Sequence, residues 1–170
     1  MAMPPVVTEA GRTPTKLGKS RAGGKGYTKD MKYQKTDNRY VVRLDKCEQL
    51  MECLQEIIAA ESITAAWVNG LGGAANAELG YYDLKALEYH WHKFDELMEI
   101  TSLQGNVSTD ELNQPVVHLH GSFSRADFSA IGGHVKELEV GGTVELLITE
   151  VPLSLVRRQD DAVGLKLLDL

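Results

Sequence analysis

Tyr40-Val41-Val42-Arg43-Leu44-Asp45-Lys46-Cys47-Glu48-Gln49-Leu50-Met51-Glu52-Cys53-Leu54-Gln55-Glu56-Ile57-Ile58-Ala59-Ala60-Glu61 is the stretch on which the fold class turns. Tyr40 to Leu44 is apolar and β-branched, as a strand is. Asp45 stands three residues before Glu48, a capping-box-like pattern with Asp in the usual Ser/Thr place. Cys47, Leu50, Met51, Leu54, Ile57 and Ile58 follow at helical spacing, while Glu48, Gln49, Glu52, Gln55 and Glu56 fill the other face. The spacing predicts an amphipathic helix ending near Glu61.

Beyond the helix the pattern changes to short strands. Ile63–Val68 reads as a buried run that ends at the turn signal Asn69-Gly70-Leu71-Gly72-Gly73. Ala74–Tyr82, Tyr89–Phe94, Met98–Leu103 and Val116–Ser124 read as further strands, the last one following the turn Asn113-Gln114-Pro115. Gly132-Gly133 and Gly141-Gly142 predict two more breaks. Thr143–Val151 alternates, with Val144, Leu146 and Ile148 on one face, and Gly164–Leu170 is a candidate last strand. One helix with about seven to nine strands predicts an α+β domain with a largely antiparallel sheet.

Upstream, residues 1–37 lack apolar periodicity and are rich in Gly, Pro, Thr and Lys. Such a composition buries too little surface to offset ordering entropy. It predicts a disordered basic arm, natural or an appended leader ending before Met31, and one domain over 38–170. Residues 1–30 carry Arg12, Lys16, Lys19, Arg21, Lys25 and Lys29 against Glu9 and Asp30, although the whole chain of 170 residues has a net charge of −6. The acidic body repels phosphate backbones at long range, so nucleic-acid binding would fall to the arm or a local patch. No apolar run approaches the ~20 residues needed to span a bilayer. The basic N-terminus has no apolar segment after it and is no secretory signal. A reducing, cytoplasmic setting is therefore expected. Cys47 and Cys53, the only two cysteines, lack CxxC spacing and read as buried or half-buried helix residues.

The chemistry concentrates in Val116–Ser124. Alternation along a strand puts Val117, Leu119 and Phe123 on one face and His118, His120 and Ser122 on the other. Two imidazoles rooted ~7 Å apart on one face can share a metal ion. His134 follows Gly132-Gly133, and a short strand from His134 to Leu138 beside the first would deliver a third nitrogen. Neutral imidazoles suit Zn²⁺, with Cu, Ni or Fe as alternatives, and three of them leave a fourth position open. An isolated His-x-His, by contrast, is usually a pair of polar residues on a solvated strand face.

Pro115-Val116-Val117-His118-Leu119-His120 followed by Gly132-Gly133-His134 resembles the signature of the plants and prokaryotes conserved (PPC) domain. Trp67-Val68-Asn69-Gly70-Leu71-Gly72-Gly73, Leu79-Gly80-Tyr81-Tyr82-Asp83, Glu99-Ile100-Thr101-Ser102-Leu103-Gln104-Gly105-Asn106 and Thr143-Val144-Glu145 fall in the matching order. The resemblance covers roughly Tyr40 to Glu150. It implies an antiparallel α+β fold assembled as a homotrimer, and a metal held by His118, His120 and His134. In plants the domain accompanies AT-hooks in nuclear DNA-associated proteins, which implies a DNA-related role and, in a prokaryotic-type member, nucleoid association. An AT-hook needs an Arg-Gly-Arg-Pro-like core for a narrow minor groove. Gly11-Arg12-Thr13-Pro14 is interrupted by Thr13 and has no second flanking arginine. The plant Gly-Arg-Phe-Glu-Ile-Leu string survives only as Met98-Glu99-Ile100-Thr101. The match is to the prokaryotic form.

Weaker signals complete the inventory. His90 and His92 form a second His-x-His, without an evident third ligand. Gly70-x-Gly72-x-x-Ala75 fits a loose dinucleotide fingerprint, but that motif needs a helix opening at the glycines, and a strand is expected there. Glu99, Asp127 and Glu145 are candidates for a fourth ligand or general base, against the commoner role of solvated charge. Two functions follow from the sequence: a DNA-associated metal-binding module, or a metal-dependent enzyme acting on a small molecule at the three histidines. A metal that merely pins strands or subunits is a third.

Overall fold

The structure, a computed structural model, describes residues 32–170. The described residues form nine strands and a single helix: β1 Lys32–Thr36, β2 Arg39–Asp45, α1 Leu50–Glu61, β3 Ala66–Asp83, β4 Glu88–Phe94, β5 Met98–Thr109, β6 Pro115–Ser124, β7 Ala130–Glu150, β8 Val156–Asp160 and β9 Leu165–Asp169. All strand pairings are antiparallel except a single parallel contact of β5 with β8. The α+β expectation holds.

β1 corrects the boundary of the predicted arm. Residues 32–36 pair with β2, so they belong to the sheet. Polar contacts, which leave no apolar periodicity, hold them there. The Tyr33 hydroxyl donates to a Glu61 carboxylate oxygen at 2.6 Å, and the Lys35 ammonium donates to the other at 2.9 Å. The rest of the predicted arm, residues 1–31, lies outside the described residues.

The helix forms where its apolar spacing predicts but starts later. Leu50, Cys53, Leu54, Ile57 and Ile58 are buried and face the sheet. The Glu48 carboxylate accepts from the Asp45 N–H at 2.7 Å, half of a capping box, but Asp45 closes β2 and does not cap the helix. Cys47, at φ 69°, is exposed and turns the chain. Its N–H donates to the Val140 carbonyl, and the Val140 N–H donates to the Glu48 carbonyl, both at 2.9 Å. These bonds tie the helix entrance to β7. At the other end, Ser62 at φ 57° takes the left-handed conformation, and the Ile63 N–H donates to the Ile58 carbonyl at 3.0 Å.

The glycine pairs do not break the chain as expected. β3 and β7 run through them as long strands of 18 and 21 residues. Gly70 to Gly73 and Gly141-Gly142 instead lie at register shifts, between Gly70 and Gly72 against β5 and between Gly72 and Ala74 against β7, while Gly132-Gly133 pair regularly with Ser122 and Gly121. A bulge bends a strand without ending it. At Gly72, φ is +147° and a Cβ would strike the Thr143 carbonyl oxygen. The pairings close on themselves, β3 to β5 to β6 to β7 and back to β3. Leu103, Leu119, Phe123, Val140 and Ile148 are fully buried within the resulting core. β8 went unassigned in the sequence. With β9 it forms a C-terminal hairpin. Among the described residues no helix is long and apolar enough to cross a membrane.

Gly72→Ala should destabilise the fold by about 1–3 kcal/mol, because the new methyl meets backbone in a conformation that L-residues avoid. Denaturant unfolding would measure it, and an unchanged midpoint would refute the strained bulge.

Candidate metal centre

Alternation on β6 buries Leu119 and Phe123 and leaves His118 half-buried and His120 exposed on the other face. β7 lies alongside in the register His120↔His134, Gly121↔Gly133, Ser122↔Gly132. His134 therefore stands directly across from His120, on a 21-residue strand and not on the short His134–Leu138 strand expected. The three ring centroids are 5.0, 5.1 and 5.4 Å apart. One nitrogen from each lies within 4.8 Å of the others.

This geometry suits a metal ion. His118 Nε2 and His120 Nε2 are 3.2 Å apart. Two nitrogens bound at ~2.0–2.1 Å with tetrahedral angles would be about 3.3 Å apart, so this pair already spans one edge of a zinc tetrahedron. His134 brings a nitrogen within 4.8 Å of the same pair. Its Nδ1 is buried with no hydrogen-bond partner among the described residues. A buried nitrogen left unpartnered is costly, and a ligating role would relieve it.

Electrostatics prepares the same rings. Burial, then the neighbouring Arg157 charge and the other two histidines, push His118 from 6.5 down to about 4. Burial, then His120 and Arg157, lower His134 as well. Both are uncharged at neutral pH, the form a metal requires.

Two further elements, without a sequence signal toward the site, wall it in. From β4, Tyr89 and Trp91 place their ring centroids 5.2 and 5.9 Å from His134. Gly80 pairs with both His134 and Trp91, and a Cβ there would come within 2.6 Å of the indole. From β8, Arg157 is 7% exposed and its Nη2 donates to His118 Nδ1 at 3.1 Å. Arg157 had no signal in the sequence: one arginine of an Arg157-Arg158 pair, far from any histidine.

The other candidates lie elsewhere. His90 stacks on Tyr81 and stands 3.8 Å from Asp83, while His92 packs on Phe94. Among the described residues no third ligand joins them. Glu99 sits on β5 opposite Ser124, Asp127 accepts from Ser129 in the β6–β7 turn, and Glu145 pairs with Arg43 and Leu71. None of the three carboxylates joins the histidine group. At Gly70–Ala75 the chain is strand, so no helix N-terminus exists for a dinucleotide. Cys53 is buried in α1 as expected, whereas Cys47 lies outside the helix.

The His118 shift has a consequence for stability. Between pH 6.5 and about 4 the unfolded chain takes up a proton at His118 that the folded chain refuses. Folding stability is thus intact above 6.5 and falls as the pH drops toward 4. Thermal melts of chelator-treated protein should show this loss, and His118→Gln should blunt it. Equal acid sensitivity in both proteins would contradict the shift.

Solved structures share this fold. A family model described as the Plants and Prokaryotes Conserved (PCC) domain matches residues 31–152. Among solved structures, a proposed DNA-binding protein from Bacteroides thetaiotaomicron is 27% identical, with a TM-score of 0.78 over 82% of this chain and 96% of its own. A metal-containing protein from Archaeoglobus fulgidus is 28% identical, with a TM-score of 0.72 over 82% and 98%. A plant- and prokaryote-conserved protein from Pyrococcus horikoshii is 27% identical, with a TM-score of 0.72 over 85% and 98%. No curated protein sequence matches the chain. With its sheet, its motifs and its matched span in agreement, the chain belongs to the Plants and Prokaryotes Conserved domain family.

Proposed function

We propose that this protein is a divalent-metal-binding module, with zinc the best-matched ion and His118, His120 and His134 as its ligands. One observation carries the reading: three imidazoles from two adjacent strands place donor atoms within 4.8 Å of one another. The metal-containing relative from Archaeoglobus supports it. When bound, such an ion supplies Lewis-acid chemistry at a coordination position the histidines leave open. The chain's own part is to present neutral rings, hold them against β5 and β7, and shield one side with Tyr89 and Trp91.

Homotrimer assembly is part of this proposal. It is supported by the sheet face turned away from the core, where Val41, Trp67, Leu71 and Leu147 are 59%, 49%, 56% and 40% exposed. Apolar residues gathered on one face favour burial against further copies. DNA association is a second reading, favoured by the proposed DNA-binding relatives from Bacteroides thetaiotaomicron and Ralstonia. The enzyme alternative would need a general base at the histidines, and Glu99, Asp127 and Glu145 are not there.

Elemental analysis should find near-stoichiometric metal, chiefly zinc, in the purified protein and none in His118→Ala/His120→Ala. Equal metal in both, or none in either after dialysis against zinc, would refute the site. Sedimentation velocity should show a trimer that Leu147→Glu dissociates, and a monomeric parent would end that part of the proposal. Titration with duplex DNA at low salt should give binding that salt and deletion of residues 1–30 both weaken. A flat titration would remove the DNA reading.

A further inference from the structure

The C-terminal hairpin lies beyond the family match at residues 31–152, yet it delivers a buried guanidinium to the candidate metal centre. Arg157 is held by four hydrogen bonds. Nε donates to Ser108 Oγ, Nη1 to the Lys166 carbonyl and Nη2 to Asn106 Oδ1, each at 2.9 Å, and Nη2 also donates to His118 Nδ1 at 3.1 Å. All four acceptors are uncharged.

A guanidinium has no acceptor. His118 Nδ1 must therefore be the unprotonated nitrogen, and the ring proton sits on Nε2, which faces His120 Nε2 at 3.2 Å. That is the wrong tautomer for the site. A metal shared with His120 takes His118 through Nε2, and a neutral imidazole bound there carries its proton on Nδ1. Metal-bound histidines normally donate that second N–H to a carboxylate or carbonyl. Here it would meet another N–H donor, and the guanidinium charge would add repulsion toward a dication.

We propose that Arg157 is a positioning residue that holds His118 in its metal-free tautomer, so that metal loading and release of the Arg157–His118 contact are one event. This rests on the metal-binding reading above. A metal held at His118 Nε2 would require the ring proton to sit on Nδ1, a change of tautomer through water with no net change at the ring. Nη2 withdraws from Nδ1, and the hairpin that carries Arg157 senses whether the site is filled.

Isothermal titration of zinc chloride into the full chain tests this with Arg157→Gln and Arg157→Lys. The carboxamide oxygen of the first can accept from Nδ1–H, and its zinc affinity should rise roughly ten- to hundredfold, the usual size of outer-shell effects. The second remains a donor and should bind as the parent does. Nitrogen-15 NMR of the unsubstituted protein provides a readout independent of variant folding. His118 Nδ1 should be unprotonated without zinc and protonated with it, while the Arg157 and Lys166 signals move. An affinity in Arg157→Gln equal to or below the parent's, or an Nδ1 still unprotonated in the zinc form, overturns the proposal and leaves the metal reading standing. A parent protein that takes up no zinc overturns both.

Discussion

Every peptide group of a buried strand needs a partner, and β7 is where this requirement weighs most. Its 21 residues find theirs in β2, β3 and β6. Val144, Leu146 and Ile148 are buried on alternate positions, which pins the register, because a slip of one residue would turn each of them to the other face. Three register irregularities against β3 follow before the earlier part of the strand, where His134 falls opposite His120 and beside Gly80. The helix entrance is tied to the same strand at Val140. Core, helix position and histidine cluster all hang on one strand's hydrogen bonding.

The site draws its character from opposing demands. Burial removes charge from His118 and His134, which prepares them as ligands. The same burial works against the charge of Arg157, which keeps it because its donors are met by neutral oxygens and one imidazole nitrogen. A positive group inside a cluster of neutral donors opposes a cation and fixes a proton on a specific nitrogen. Tyr89 and Trp91 add an apolar wall that limits solvent on the His134 side, which strengthens every one of these interactions.

Much of this was legible along the chain where the signal is local. The 3.6-residue spacing of Leu50, Leu54, Ile57 and Ile58 marked the helix, and the alternation around Leu119 and Phe123 put His118 and His120 on one face. Glycine was misread. Gly70-Leu71-Gly72-Gly73, Gly132-Gly133 and Gly141-Gly142 carry the same letters as turns, but paired neighbours on both sides convert them to bulges and close approaches within continuous strands. Tyr33 and Lys35 were placed in an arm because their anchor, Glu61, is supplied by a helix that comes later in the chain.

The sequence by itself determined the helix, most of the strands, the shared face of His118 and His120 and, through motif order, the family, because these depend on spacing within a few residues. Only the tertiary structure decided what surrounds the histidines. Arg157 lies 39 residues from His118, and Tyr89 is separated from His134 by two other strands. Their meeting follows from strand pairing and hairpin packing, which are non-local consequences of backbone hydrogen bonding and burial. So does the proton position on His118, which no spacing of residues encodes.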